Sequence, residues 1–381
     1  MNLFTPEQLE IQTAARKFVA KNVIPRAAEF DKSGEFPDFL FDAMKETKIC
    51  AMAIPKEFGG LGYDSITQAL VIEEWAYGCQ GIGTTVGASM LGTDPMFFAG
   101  TEEQRKRFFA AIVNGGIAAF GLTEPGAGSD AGAVKTTAVR DGDDYILNGS
   151  KCFITNGAYA SVYVIIASTQ PEKGMKGLSA FMVEKGQQGL TIGTAEHKLG
   201  IRSSNTVELH FKDARIPVAN LLGKEGQGMK IAMKTLDMAR PPVAVGAVGI
   251  ARRAVDVCMN YLMGRFSMQA LPRQTLLFKL ADMQIQLESA RQMAHHAMRL
   301  RDAECDYAME SAISKTLGGD MCMAVTSQAV SLMGSYGYTS ELEKLMRDAK
   351  IMQIYEGTNQ IQRLVIVRGL FMQAAAQQGV A

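Results

Sequence analysis

Near the C-terminus, Ile354-Tyr355-Glu356-Gly357-Thr358-Asn359-Gln360 sets one carboxylate between two apolar-bodied residues and a glycine that can break or bend the backbone. A carboxylate buried there loses hydration, gains a raised pKa and becomes a usable general base. The same pattern also describes a surface or capping glutamate, which is its commoner meaning. A second stretch, Thr123-Glu124-Pro125-Gly126-Ala127-Gly128-Ser129-Asp130-Ala131-Gly132, spaces its glycines as GxGxxxG, one residue off the dinucleotide fingerprint. It opens a strand-rich zone instead of joining a strand to a helix, so nicotinamide binding of the doubly wound type is rejected. Bare glycine backbone followed by a hydroxyl could still bring N–H groups and Ser129 to a pyrophosphate, or could be a plain turn. Other chemistries lack their residues. The four histidines, His197, His210, His295 and His296, form no HExxH or Cys/His cluster, so no metal site is expected. No GxSxG elbow marks a serine hydrolase.

The elements that must position these residues fall into three zones, 1–117, 118–226 and 227–381. In the first, Thr5-Pro6-Glu7-Gln8 reads as a helix start, with Leu9, Ile11, Ala15 and Val19 following at roughly helical spacing. Pro25, Pro37, Pro55 and Gly59-Gly60 punctuate it into short helices. In the second zone the period changes. Tyr145 to Leu147, Cys152 to Thr155, Val162 to Ile166, Phe181 to Val183 and Thr206 to Phe211 read as strands, with Asn148-Gly149 and Asn156-Gly157 as turn-forming pairs. Beyond Gly228 long amphipathic stretches rich in Met and Ala return to helix. A helical–β–helical order without strand–helix alternation predicts an α+β multidomain chain and disfavours a doubly wound nucleotide fold.

Composition excludes further classes. The 39 basic and 39 acidic residues cancel, leaving no surplus for a phosphate backbone or an anionic bilayer. Neither nucleic acid nor membrane is expected as a partner. The longest nearly apolar stretch, Pro241 to Ala251, is short of the ~20 residues a bilayer span needs. The opening residues lack a leader pattern, and six scattered cysteines form no CxxC pair, so a reducing cytoplasm is the expected compartment.

Taken together, LTEPGAGSD (122–130), NGSKCFITNG (148–157), LGIRSSNT (199–206), LDMARPPVAVGAVGIARRA (236–254), EKLMRDAK (343–350) and IYEGTNQIQR (354–363) closely resemble the acyl-CoA dehydrogenase family. The resemblance covers essentially the whole chain. It implies an N-terminal helical domain, a middle β-barrel or sandwich-like domain and a C-terminal four-helix bundle, usually in a homotetramer. It also implies FAD, an acyl-CoA substrate, αβ-dehydrogenation to the enoyl-CoA, and electron-transfer flavoprotein as acceptor. Glu356 matches the family's base, and its backbone N–H is implied to hold the thioester carbonyl. Phe120, Leu122 and Thr123 match residues lining the flavin ring, and Ser129 a pyrophosphate and acyl-CoA contact. Phe153, standing where Trp is more frequent, and Thr155 match contacts to the isoalloxazine. Thr358 and Gln360 match contacts to the ADP half of FAD. Asp237, Arg240 and Arg368 match positions near the CoA channel and the base, and Tyr355 and Gly357 flank that base. Gly87, Leu91, Ala239 and Val243 match the acyl-pocket lining. Asp94, one turn beyond Leu91, is expected on a helix surface, with a second polar group facing the pocket as the alternative.

Departures from the family pattern cluster. Its R-x-x-F-G, which reaches FAD across a subunit interface, stands here as Arg265-Phe266-Ser267-Met268-Gln269. Its Q-x-x-GG-x-G stands as Ser331-Leu332-Met333-Gly334-Ser335-Tyr336-Gly337. Met268, Ser331 and Ser335 all fall on the part implied to clasp a neighbour's ADP moiety. Local drift, weakened FAD binding or a mixed oligomer completing the site each fit that pattern, and an acyl-CoA oxidase is a further alternative.

Overall fold

The first helix begins where its capping residues dictate. The Gln8 N–H donates to the Thr5 hydroxyl (3.2 Å) and the Thr5 N–H to the Gln8 side chain (3.0 Å), which starts α1 (Pro6–Asn22). The computed structural model describes residues 4–265 and 274–378. Short helices α2 (Ala27–Ser33) and α3 (Phe39–Thr47) lead to α4 (Ser65–Gly78) and α5 (Gln80–Ala99), and α6 (Glu102–Val113) closes the zone. Neither α4 nor α5 has a polar face to give to solvent; buried residues run round both, including Glu73, Glu74 and Trp75. They are therefore walls shared between layers.

The middle of the chain forms eight strands, β1 (Ala118–Gly121), β2 (Thr137–Asp141), β3 (Asp144–Thr155), β4 (Val162–Ser168), β5 (Leu178–Glu184), β6 (Leu190–Ala195), β7 (Thr206–Pro217) and β8 (Leu221–Leu222). Their order is β6-β7-β3-β2-β4-β5-β8, and β1 pairs in parallel with β4. Asn148-Gly149 does not turn the chain. It lies inside β3, where the register against β7 shifts and Gly149 holds φ +144°. A side chain at Gly149 would strike Thr136 at 2.6 Å, so the pair is a bulge under close backbone approach. A second shift between Lys151 and Ile154 throws Phe153 outward at φ +56° and 63% exposure.

Four long helices, α7 (Gly228–Arg265), α8 (Gln274–Asp302), α9 (Ala308–Met333) and α12 (Asn359–Gln377), build the last zone, with short α10 (Ser335–Thr339) and α11 (Glu341–Ala349) between them. A Cβ at Gly318 would come within 2.9 Å of the Ala244 Cα, which shows how closely α9 meets α7. Arg252 on α7 and Arg291 on α8 reach the buried Glu73 and Glu74 of α4, with N–O distances of 2.7–2.9 Å. Those pairs lock the helical zones together. No helix among the described residues is long and apolar enough to cross a membrane.

A buried pair ties the glycine-rich stretch to the sheet. Lys151, fully buried, donates to the Glu124 carboxylate (2.7 Å) and the Leu122 carbonyl (3.1 Å). The same carboxylate accepts the N–H groups of Lys135 (2.7 Å) and Thr136 (3.0 Å). Burial depresses the Lys151 pKa to about 8. Burial also pushes Glu124 upward, but Lys151 and the backbone donors overcome it and hold that carboxyl below its usual range. Glu124→Ala strands a buried cation and two N–H groups, so it should lower stability by about 3–5 kcal/mol in urea unfolding. Lys151→Met should cost less, because Glu124 keeps its backbone donors.

Candidate active site

Glu356 sits on a turn that side chains other than glycine rarely adopt, with φ +55°, followed by Gly357 at φ +87°. The turn is held from below. Gln362 donates to the Glu356 carbonyl (3.0 Å) and the Gly357 carbonyl (3.1 Å), and Lys315 of α9 donates to the Gly357 carbonyl (2.7 Å). A Cβ at 357 would meet the Gln362 amide at 2.5 Å, so glycine is required there. Loss of hydration lifts the Glu356 carboxyl to about 7, against the pull of Lys315 and Arg240. A carboxyl poised at neutral pH has the proton affinity a general base needs. Among the described residues its backbone N–H meets no acceptor and is free to hold an oxyanion.

Helix α5 joins this turn to the sheet. At its start, Gln80 donates to the Tyr355 hydroxyl (3.4 Å) and to Thr84 (3.1 Å). One turn on, the Thr85 carbonyl accepts from Asn156 (2.9 Å), just past the end of β3. The next turns present Gly87, Leu91 and Asp94. Open space lies beside Gly87, where a Cβ would find no atom within 4 Å. Asp94 is not on a surface. It is 7% exposed, and burial, with the nearby charge of Glu356, raises its carboxyl to about 7 against Arg301. The expectation of a solvated aspartate is thereby corrected, because α5 is enclosed on every side at that level. Pro95, next along, removes the helical bond to the Leu91 carbonyl. On α7, Ala239 and Arg240 are buried and Val243 half-buried. Arg240 pairs with Asp237 at 2.5 Å, and burial weakens the charged form of both.

On the sheet side, the Cys152 N–H donates to the Thr123 carbonyl (2.9 Å), which sets Leu122 and Thr123 beside Phe153. Phe120 and Thr155 are half-buried, whereas Ser129 and the Phe153 ring are exposed. The backbones of Gly126 and Gly128 are bare, with no atom within 4 Å of a built Cβ. An exposed aromatic face, a hydroxyl and uncovered glycine N–H groups fit a flat ring system carrying phosphates.

Three family models match the chain end to end: the acyl-CoA dehydrogenase N-terminal domain over residues 5–116, its middle domain over 119–214 and its C-terminal domain over 226–371. This chain belongs to the acyl-CoA dehydrogenase family. The short-chain specific acyl-CoA dehydrogenase of Clostridium acetobutylicum is 42% identical over 373 residues, 96% of this chain and 98% of that one. The structure of butyryl-CoA dehydrogenase from Megasphaera elsdenii superposes with a TM-score of 0.94 at 38% identity, covering 97% of this chain and 100% of the other. A glutaryl-CoA dehydrogenase from Mycobacterium smegmatis, solved in complex with FADH2, gives 0.90 at 27% identity over 97% and 95% of the chains. The three-domain acyl-CoA dehydrogenase fold is thus that of this protein.

Within that dehydrogenase fold, the residues expected at the site do not all converge. Thr358 caps α12, accepting from the Ile361 N–H (3.2 Å), and Gln360 is exposed on its first turn. Arg368 is exposed about two turns further along α12 and, among the described residues, makes no hydrogen bond or ion pair with the Glu356 turn. Ser331 is exposed in the last turn of α9 and Ser335 at the start of α10. Ser331 lies sixteen residues past Lys315, which is about 24 Å of helix, and its hydroxyl turns back to the Ser327 carbonyl (3.0 Å). Neither serine can join the Glu356 turn of the same chain. Arg265 ends α7, and Ser267 and Met268 lie outside the described residues. Sequence reasoning missed Lys315 and Gln80. A lone lysine within the small, apolar run of α9 was the available signal.

Asp94→Asn removes a like charge beside Glu356, so the Glu356 carboxyl should titrate at lower pH. Both carboxyls lie above their unfolded values, so their contribution to stability is present at low pH and lost as pH rises through about 7. Melting temperature should therefore fall less between pH 5 and 8, the span in which a raised carboxyl loses its proton, in Asp94→Asn than in the parent, read by calorimetry at both values.

Proposed function

We propose that this protein is an FAD-dependent acyl-CoA dehydrogenase in which Glu356 removes the α-proton of an acyl-CoA thioester. The observation that carries the reading is Glu356 itself, raised to about 7 on a strained, glycine-backed turn with a free backbone N–H. Abstraction next to a thioester leaves negative charge on the carbonyl oxygen, and the Glu356 N–H is the donor suited to it. Gly87, Leu91, Ala239 and Val243 would receive the acyl group, and Asp94 adds a second protonatable group to that space.

The bare glycines, Ser129, Phe120, Leu122, Thr123, Phe153 and Thr155 fit FAD, and Thr358 with Gln360 offers the N-terminus of α12 to its phosphates. Bound FAD supplies the hydride acceptor for the β-carbon. The chain's task is to present that cofactor and the base to neighbouring carbons and to keep water out. Electron-transfer flavoprotein is the acceptor in this reading, the homotetramer its assembly and the cytoplasm its compartment. The distance of Ser331 and Ser335 from the Glu356 turn supports an assembly, since the FAD contact the resemblance implies for them needs a neighbouring chain.

Glu356→Gln should retain flavin yet slow anaerobic bleaching by ~10²–10⁴-fold across a panel of straight, branched and cyclic acyl-CoA thioesters. Near-normal bleaching would defeat the assignment. Peroxide formation without an external acceptor would indicate an oxidase instead.

The trans half of the site makes its own prediction. Ser331 is shorter than Gln, and Met268 offers no aromatic face, so each loss weakens FAD by ~0.5–1.5 kcal/mol. The protein should shed FAD on gel filtration, and Met268→Phe with Ser331→Gln should slow that loss. Retention appearing only with a different chain added would point to a mixed oligomer.

A further inference from the structure

Lys315 is a buried cation whose direct partners are all neutral. Its side chain is fully buried and donates to the Gly357 carbonyl (2.7 Å) and the Asn359 side-chain oxygen (2.9 Å). Among the described residues no carboxylate lies within ion-pair distance of it. Asp320, on its own helix, is already engaged by Arg363 (2.8 Å), Gln353 (2.8 Å) and Asn359 (2.8 Å). The charges facing Lys315 are Glu356 from the turn before α12, Arg240 from α7 and Asp320 from α9. Those facing Glu356 are Lys315, Arg240 and, from α5, Asp94. Arg240 is committed to Asp237. Lys315 is thus the uncommitted positive charge on the base.

We propose that Lys315 is the positioning residue of the catalytic turn: one ammonium pins the Glu356–Gly357 backbone in its left-handed shape and supplies the counter-charge of an ionised Glu356. The two effects share one bond. By accepting from Lys315, the Gly357 carbonyl is fixed, and with it the peptide that follows Gly357, while Gln362 holds the Glu356 carbonyl of the peptide before it. A charged group desolvated in the interior costs free energy unless an opposite charge offsets it. Lys315 and Glu356 meet that requirement for each other through the turn instead of through a salt bridge. When Glu356 takes up the substrate proton, Lys315 loses its counter-charge, which favours return of the proton to solvent after product leaves. Retention of a lysine here in place of an isosteric Met has no packing rationale, since α9 is otherwise lined with small and apolar residues at this level.

The inference rests on Glu356 being the base, and the test separates the two. Infrared difference titration of the full-length protein would follow the Glu356 carboxyl, identified by its disappearance in Glu356→Gln. Lys315→Met and Lys315→Gln should move its midpoint upward by about one pH unit or more, and Lys315→Arg should return it towards the parent value. Lys315→Gln keeps a donor for the Gly357 carbonyl, so it isolates the charge even where Lys315→Met fails to fold. In parallel, exchange of the α-protons of butyryl-CoA in D2O, read by NMR, should slow about tenfold at pH 7 in both neutral variants and recover at higher pH. A midpoint unmoved in both neutral variants overturns the proposal. Absence of α-proton exchange in the parent protein, with the infrared shift intact, overturns the acyl-CoA reading of Glu356 and leaves the Lys315 coupling standing.

Discussion

A carboxylate that must be charged in order to act, in a pocket that must be dry for it to act well, cannot be placed without help from its surroundings. At Glu356 the loss of hydration alone would leave the group protonated, and the chain answers by placing Lys315 and Arg240 within range of it. The result is a carboxyl near 7 instead of one locked in the acid form. The backbone meets the same requirement. A left-handed φ at a glutamate is strained, and it persists because Gln362, Lys315 and Gly357 leave that turn no other shape.

Everything else in the fold positions partners for that turn. Helix α5 is the common wall, touching Tyr355 through Gln80 and the end of β3 through Thr85. A helix with two functional faces cannot keep a solvent face, which is why α5 is buried on nearly all sides. The sheet contributes through its irregularities. Two register shifts in β3 break its regular pairing with β7: at the first the Gly149 backbone lies close against Thr136, and at the second the Phe153 ring is thrown into the open.

How much of this was legible in the sequence depended on whether the signal was local. The capping box at Thr5, the strand runs and the amphipathic stretches beyond Gly228 were readable, because each is written within a few residues. Asn148-Gly149 carries the composition of a turn, yet only its neighbour Thr136, just before β2, decides that it is a bulge. Asp94 was misread for the same reason. On a half-exposed helix a lone aspartate faces water, but α5 has no such face, and that follows from what packs on it from both sides. Glu356 became recognisable only within a set of motifs spread along the chain, since its own neighbourhood is also that of a surface residue.

The two buried lysines show why burial alone does not mark function. Lys151 and Lys315 are equally inaccessible, and burial brings both to about 8. Lys151 closes a local circuit: its carboxylate is 2.7 Å away, and two backbone N–H groups satisfy the rest of that carboxylate. No field is left over, and the pair acts as a clasp between the glycine-rich stretch and β3. Lys315 touches only a carbonyl and an amide, so its charge is compensated at a distance, by Glu356, the group proposed to take up the substrate proton. A structural pair gains from being complete. In the proposed role of Lys315 the compensation is instead left to a group whose charge changes, and that difference is visible in the hydrogen bonds before any reaction is considered.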